Sequence, residues 1–193
     1  MSNLLQRAIT GAIFVIVLVG SVWYSEWTFF GLFLLITVLA LYEFYRLSRL
    51  ERNSPQRFMG LLLGVMVYLI SWLYFRGMVE AYMFLLIVPV AVFIPIIELF
   101  RQKRKPFSNI GYTFSGVLYI VVPFSLFHSF SFTRGTVTHY SPDILLSIFF
   151  MLWTFDTFAY LSGITIGRNR LFERISPKKT WEEIGRASCR ERV

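Results

Sequence analysis

The chain has 193 residues, of which 56% are hydrophobic, 21 are phenylalanine and only 16% are charged. A soluble domain of this length carries more charge and fewer aromatics, so a soluble globular fold is excluded. The net charge of +8, in so apolar a chain, fits loop charges that set membrane topology rather than a nucleic-acid surface. One cysteine, Cys189, and two histidines, His128 and His139, leave no disulfide framework and no Cys/His metal spacing. Both histidines read as interfacial polar residues.

Apolar runs of about 18 to 25 residues, the length that crosses a ~30 Å hydrocarbon core, alternate with clumps of charge. They predict an all-α, polytopic membrane bundle of about six spans. In chain order these are Ala8–Tyr24, Thr28–Tyr45, Phe58–Phe75, Met78–Phe100, Ile110–Phe130 and Ile144–Ile166. The first run lacks an A-x-A-like exit and reads as a true span, not a cleaved signal. The fourth contains Pro89 and Pro95 and is expected to be kinked or locally broken.

The loop charges alternate. Arg7, then Arg46, Arg49, Arg52 and Arg57, then Arg101, Lys103, Arg104 and Lys105, and finally Arg168, Arg170, Arg174, Lys178 and Lys179 fall on one side. The other side holds only Arg76 and Arg134. The positive-inside rule puts the N-terminus and the Ser176–Thr180 segment in the cytoplasm. Trp23, Trp27, Trp72 and Trp181 fit interfacial belts. Glu43 and Glu98 sit near the basic ends of the second and fourth spans, where they can reach headgroups or pair with arginines.

Asp156 is out of place. It lies in "MLWTFDTFAYLSG", about 18 Å into the sixth span at 1.5 Å per residue. On a lipid face it costs about 2.5–3.5 kcal/mol on insertion scales. It is therefore expected to face other helices or a watery cavity. Thr154, Thr157, Tyr160 and Ser162 make the same segment polar, and Asp156 and Tyr160, four apart, share a helix face. Asp156 reads either as a buried packing hydrogen bond or as a cation ligand in a cavity open to the cytoplasm.

Just past that span comes "RISPKKTWEE". Ser176-Pro177 reads as a helix start, with Ser as cap and Pro at the first helical position. Such a helix points free N–H groups and its positive dipole end forward. Lys178, Lys179 and Thr180 add two cations and a hydroxyl. The segment fits a polyphosphate grip. It also fits a basic juxtamembrane anchor for anionic lipid, worth about 1 kcal/mol per cation. An anchor needs neither Asp156 nor Ser176. A carboxylate-held divalent metal beside a cationic loop suits phosphoryl or nucleotidyl transfer.

At these residues the chain resembles the bacterial phosphatidate cytidylyltransferases, also called CDP-diacylglycerol synthases. Trp153 to Glu182, "WTFDTFAYLSGITIGRNRLFERISPKKTWE", follows that family's W-x-x-D-[ST]-x-A-Y helix, its G-[RK] exit and its I-S-P-[KN]-K-T-W-E run. Weaker likenesses are "RAITGAIFV", "YEFYRL" and "GVLYIVVPFSLF". The resemblance implies a polytopic inner-membrane enzyme that joins CTP and phosphatidic acid, forms CDP-diacylglycerol, releases pyrophosphate and requires Mg²⁺. It places Asp156 at the metal, Ser176, Lys178, Lys179 and Thr180 at the nucleotide and its phosphates, and Asp156, Lys178 and Lys179 in catalysis. It also carries the expectation of a homodimer.

After "KTWE" that family continues with an E-G-x-x-G-G run, further spans and a second acidic signature. Here "EIGRASCRERV" follows Glu182. Residues 1–182 thus read as the N-terminal part of a membrane-embedded cytidylyltransferase domain. Residues 183–193 read as a non-native tail, and the chain as given is expected to be inactive. The rival readings are a CTP-dependent polyprenol or dolichol kinase and, from another class, a transporter or scaffold component. A transporter of that kind is expected to show paired half-helix breaks or an inverted repeat. The sequence carries only the Pro89/Pro95 break and no repeat.

Overall fold

The computed structural model describes residues 3–50, 53–133, 138–166, 170–172 and 176–180. Two compact units divide the chain, Met1–Ile144 and Leu145–Val193. The helices are α1 (Asn3–Tyr24), α2 (Glu26–Leu50), α3 (Arg57–Phe75), α4 (Ile87–Arg101), α5 (Pro106–Gly116), α6 (Val122–Ser131) and α7 (Asp143–Ile166). A 3₁₀ turn, Ala81–Leu86, leads into α4, and a π turn, Val117–Val121, joins α5 to α6. The strands β1 (Phe132–Thr133) and β2 (His139–Tyr140) pair antiparallel, as do β3 (Arg170–Phe172) and β4 (Ser176–Thr180).

Each of the six expected spans falls on helix. Among the described residues four stretches are long and apolar enough to cross a membrane: Glu26–Arg49, Arg57–Phe75, Ala81–Arg101 and Pro106–Ser131. The apolar part of α1, Ile9–Tyr24, is shorter. The chain is an all-α membrane bundle with two small hairpins added.

Local chemistry sets the breaks. Ser25 separates α1 from α2, and its Oγ accepts from the Trp27 N–H at 3.2 Å, capping a new helix. Gly77, at φ +77°, ends α3 in the left-handed turn that glycine adopts without a Cβ clash. The fourth span begins as the 3₁₀ turn and becomes α-helical at Ile87, a change that falls before both of its prolines. Pro89 then lies in the first turn of α4, where a missing N–H costs no intrahelical bond. The helix runs on through Pro95. The fifth span widens into π geometry before Pro123. That proline cannot donate to the carbonyl four residues back, and a π turn accommodates the lost bond.

Packing in the first unit centres on Tyr45, which is buried and donates to the Thr113 carbonyl at 2.7 Å. Glycines admit its ring. A Cβ on Gly60 would stand 2.2 Å from the Tyr45 hydroxyl, and one on Gly116 would stand 2.7 Å from the ring. A Cβ on Gly64 would meet Leu41 at 2.8 Å. Gly60 and Gly64, four apart, thus let α3 approach α2 closely, as small residues do in membrane helices.

His128 departs from its expected interfacial place. It is fully buried, with ring contacts to Tyr68 at 4.6 Å and Phe29 at 5.6 Å. The cause is helix phase, which turns this position of α6 toward α2 and α3.

The two ends of the first unit are closed differently. At the end where α2 begins and α3 finishes, away from the basic loops, Arg76 pairs with Glu26 at 2.7 Å. Its guanidinium lies 5.1 Å over Trp27 and 4.9 Å over Trp72. At the basic end a polar network closes α2 through α5 around Glu98. That carboxylate accepts from Asn109 Nδ2 at 2.6 Å, from Gln56 Nε2 at 2.8 Å and from Arg101 at 2.6 Å. Asn109 also accepts from the Ser54 N–H at 2.7 Å, and Thr113 Oγ1 accepts from the Gln56 N–H at 3.0 Å. The α2–α3 linker is thereby fastened to the α4–α5 hairpin.

Candidate functional site

The residues singled out for chemistry all belong to the second unit. Helix α7 is 24 residues long, with Asp143 in its first turn favoring the positive dipole end. Ser141 Oγ donates to that carboxylate at 2.9 Å. Within the helix Trp153 stacks on Phe149 with centroids 6.0 Å apart and meets Phe150 edge-on at 5.8 Å. One turn on, Thr157 Oγ1 donates back to the Trp153 carbonyl at 2.7 Å.

Asp156 lies mid-helix, about 20 Å from the start of α7 at 1.5 Å per residue. It is exposed, as are Thr154, Phe155, Thr157 and Phe158. The expected covering of this carboxylate by helices or a cavity is therefore not formed by the described residues. In a bilayer such a face requires protein or water around it. Tyr160 and Ser162 lie on the same helix.

Ser176, Lys178, Lys179 and Thr180 fall together on β4, not at a helix start. The expectation of a Ser-Pro cap is corrected. Local capping chemistry is the same in both settings, and the antiparallel partner Arg170–Phe172 decides the outcome. Arg170 pairs with Thr180 and Phe172 with Ser176, so two steps on β3 answer four on β4, and the register is irregular between them. Pro177 falls in that irregular stretch of a two-stranded, edge-only sheet, where its missing N–H is tolerated. A helix dipole at Ser176 is therefore not available to bind phosphates. Cations and strand backbone remain. Arg174 and residues 181–193, including Trp181, Cys189 and the tail, lie outside the described residues.

Among the described residues no three His, Cys, Asp or Glu side chains cluster as a metal cage. Mg²⁺ characteristically takes one or two carboxylates, keeps waters and uses substrate phosphates for the rest. Asp156 offers one such carboxylate, exposed on α7. Glu98, which the sequence placed near headgroups, is 2% exposed. Both its oxygens are taken by Asn109, Gln56 and Arg101. It pairs with an arginine, as expected, and serves packing instead of headgroup contact. No single residue signals this network, which needs Gln56 and Asn109 from other parts of the chain.

The model of the "Cytidylyltransferase family" matches residues 5–187, and the chain belongs to that family. Among curated proteins it is similar to the phosphatidate cytidylyltransferase of Haemophilus influenzae, 27% identical over 164 residues, covering 77% of this chain and 56% of that one. The Staphylococcus aureus enzyme of the same name is 34% identical over 89 residues, 46% of this chain and 32% of that one. That of Rickettsia typhi is 36% identical over 75 residues, 38% of this chain and 30% of that one. The chain thus spans about half the length of the curated relatives it matches. No solved structure matches it.

Proposed function

We propose that this chain is part of a membrane nucleotidyltransferase that converts CTP and phosphatidic acid to CDP-diacylglycerol and pyrophosphate. The observation that carries the reading is the family match over residues 5–187, which takes in both α7 with Asp156 and the β4 segment. The similarity to proteins named phosphatidate cytidylyltransferase gives the substrate pair.

In this reaction a phosphate oxygen of phosphatidic acid attacks the α-phosphorus of CTP. The bond from that phosphorus to the bridging oxygen breaks, and pyrophosphate leaves with the electron pair. Two anions must meet, so fixed positive charge is the first requirement. Lys178 and Lys179 supply it at the nucleotide phosphates and at the leaving pyrophosphate. Ser176 and Thr180 hydroxyls at the two ends of β4 orient phosphate oxygens. Asp156 would hold Mg²⁺, which when bound offsets phosphate charge. A site at the membrane lets a lipid headgroup meet a soluble nucleotide.

The basic loops support placement in a bacterial inner membrane with the N-terminus and the Ser176–Thr180 segment cytoplasmic. The homodimer carried by the resemblance belongs to the same proposal. Residues 1–182 are proposed as the native cytidylyltransferase portion, residues 183–193 as a non-native tail.

The test uses membranes bearing the product of the source gene read beyond codon 182, supplied with CTP, phosphatidic acid and Mg²⁺. Lipid-borne CMP with matching pyrophosphate supports the proposal. A phosphorylated polyprenol with CDP as co-product would replace it with the kinase reading.

A further inference from the structure

The basic end of the first unit carries a second surface with ligand chemistry, apart from Asp156 and β4. Lys103, Arg104 and Lys105 are all exposed on the α4–α5 turn. The turn is built rather than loose. Gln102 and Lys105 both take left-handed backbone, at φ 49° and 57°, and the Arg104 carbonyl accepts from buried Asn109 at 3.1 Å. The Asn109 N–H in turn donates to the Lys105 carbonyl at 3.0 Å. The Glu98 network thus fixes the backbone that presents three cations.

Nothing acidic among the described residues of this end neutralises them. Glu98 is buried against Arg101 at 2.6 Å, and Glu43 pairs with Arg46 at 3.4 Å. Large apolar side chains flank the turn on both sides. Phe100 is 82% exposed and Phe107 is 88% exposed. Cations between outward-facing phenylalanines match an amphiphile: a headgroup phosphate for the former, acyl chain for the latter.

We propose that the Lys103–Lys105 turn, with Phe100 and Phe107, is a docking surface for an anionic glycerophospholipid. The headgroup phosphate sits on the three cations and the acyl chains lie along the two rings. This surface does not depend on the catalytic reading. A basic loop that only sets topology needs charge but no ordered turn and no flanking rings.

The test is native mass spectrometry of the 193-residue chain released from bilayers of phosphatidylcholine and phosphatidylglycerol in equal parts. The wild type is expected to retain phosphatidylglycerol selectively. K103Q/R104Q/K105Q is expected to lower that retention about a hundredfold, at about 1 kcal/mol per surface cation, and to leave phosphatidylcholine adducts unchanged. F100A/F107A keeps every charge, and with it topology, and is expected to lower retention severalfold as well. Unchanged retention in either variant overturns the proposal. So does loss on K178Q/K179Q with the turn intact, which would place the lipid at β4. Displacement of the lipid by millimolar inorganic phosphate would also overturn it, since the ligand would then be a soluble anion.

Discussion

The two units of this chain treat polar groups in opposite ways. In the first, Glu98 is sealed from solvent and every oxygen has a donor; Tyr45, Asn109 and Thr113 are likewise buried and bonded. In the second, Asp156 stands exposed on α7. A carboxylate that has spent its lone pairs on fixed donors is set for packing and has little capacity for a substrate. One that keeps them open can take a cation. Burial alone would have pointed to Glu98 as the unusual acid; satisfaction of its oxygens separates scaffold from candidate chemistry.

That contrast is broken most severely at Asp156. In the gene product read beyond codon 182, D156N is expected to cut CMP transfer to lipid by about a hundredfold or more, as loss of a charge-stabilising group does. Its melting temperature is expected to hold. In the first unit the expectation inverts. E98A leaves Arg101, Gln56 and Asn109 donors without their acceptor in a buried setting, a loss of about 3 kcal/mol. Thermal unfolding in detergent checks it, and E98Q, which keeps one acceptor, is expected to lose less.

Smaller effects sharpen the picture of the scaffold. G60A puts a methyl into the Tyr45 hydroxyl and forces the ring off the Thr113 carbonyl, for about 1–3 kcal/mol. The paired variant G60A/Y45F tests the mechanism, since the lost hydroxyl removes the nearest clash and recovery of part of the stability is expected. R76A removes the Glu26 pair and both indole contacts at the opposite end, for about 1 kcal/mol. Tryptophan emission from Trp27 and Trp72 is expected to shift at the same time.

Much of the scaffold was legible because a membrane span is a local, compositional property. Apolar length gave the helices, and loop charges marked the basic end. Close packing was not legible. Gly60 and Gly64 take meaning only from Tyr45 and Leu41 on another helix. His128 was misplaced for the same reason, since its burial depends on Tyr68 and Phe29. At the candidate site Asp156 was legible because a carboxylate in an apolar run is costly wherever it points. The form of the Ser176–Thr180 segment was not. Ser-Pro caps a helix or enters an edge strand equally well, and only the pairing with Arg170–Phe172 distinguishes them.

The central claim is that Asp156 serves chemistry and Glu98 serves packing. The most direct measurement compares D156N and E98Q in one preparation, recording CMP transfer to phosphatidic acid and melting temperature for each. The account predicts that D156N abolishes transfer and keeps the melting temperature, while E98Q lowers the melting temperature and keeps transfer per folded molecule. Full transfer by a folded D156N protein would contradict it.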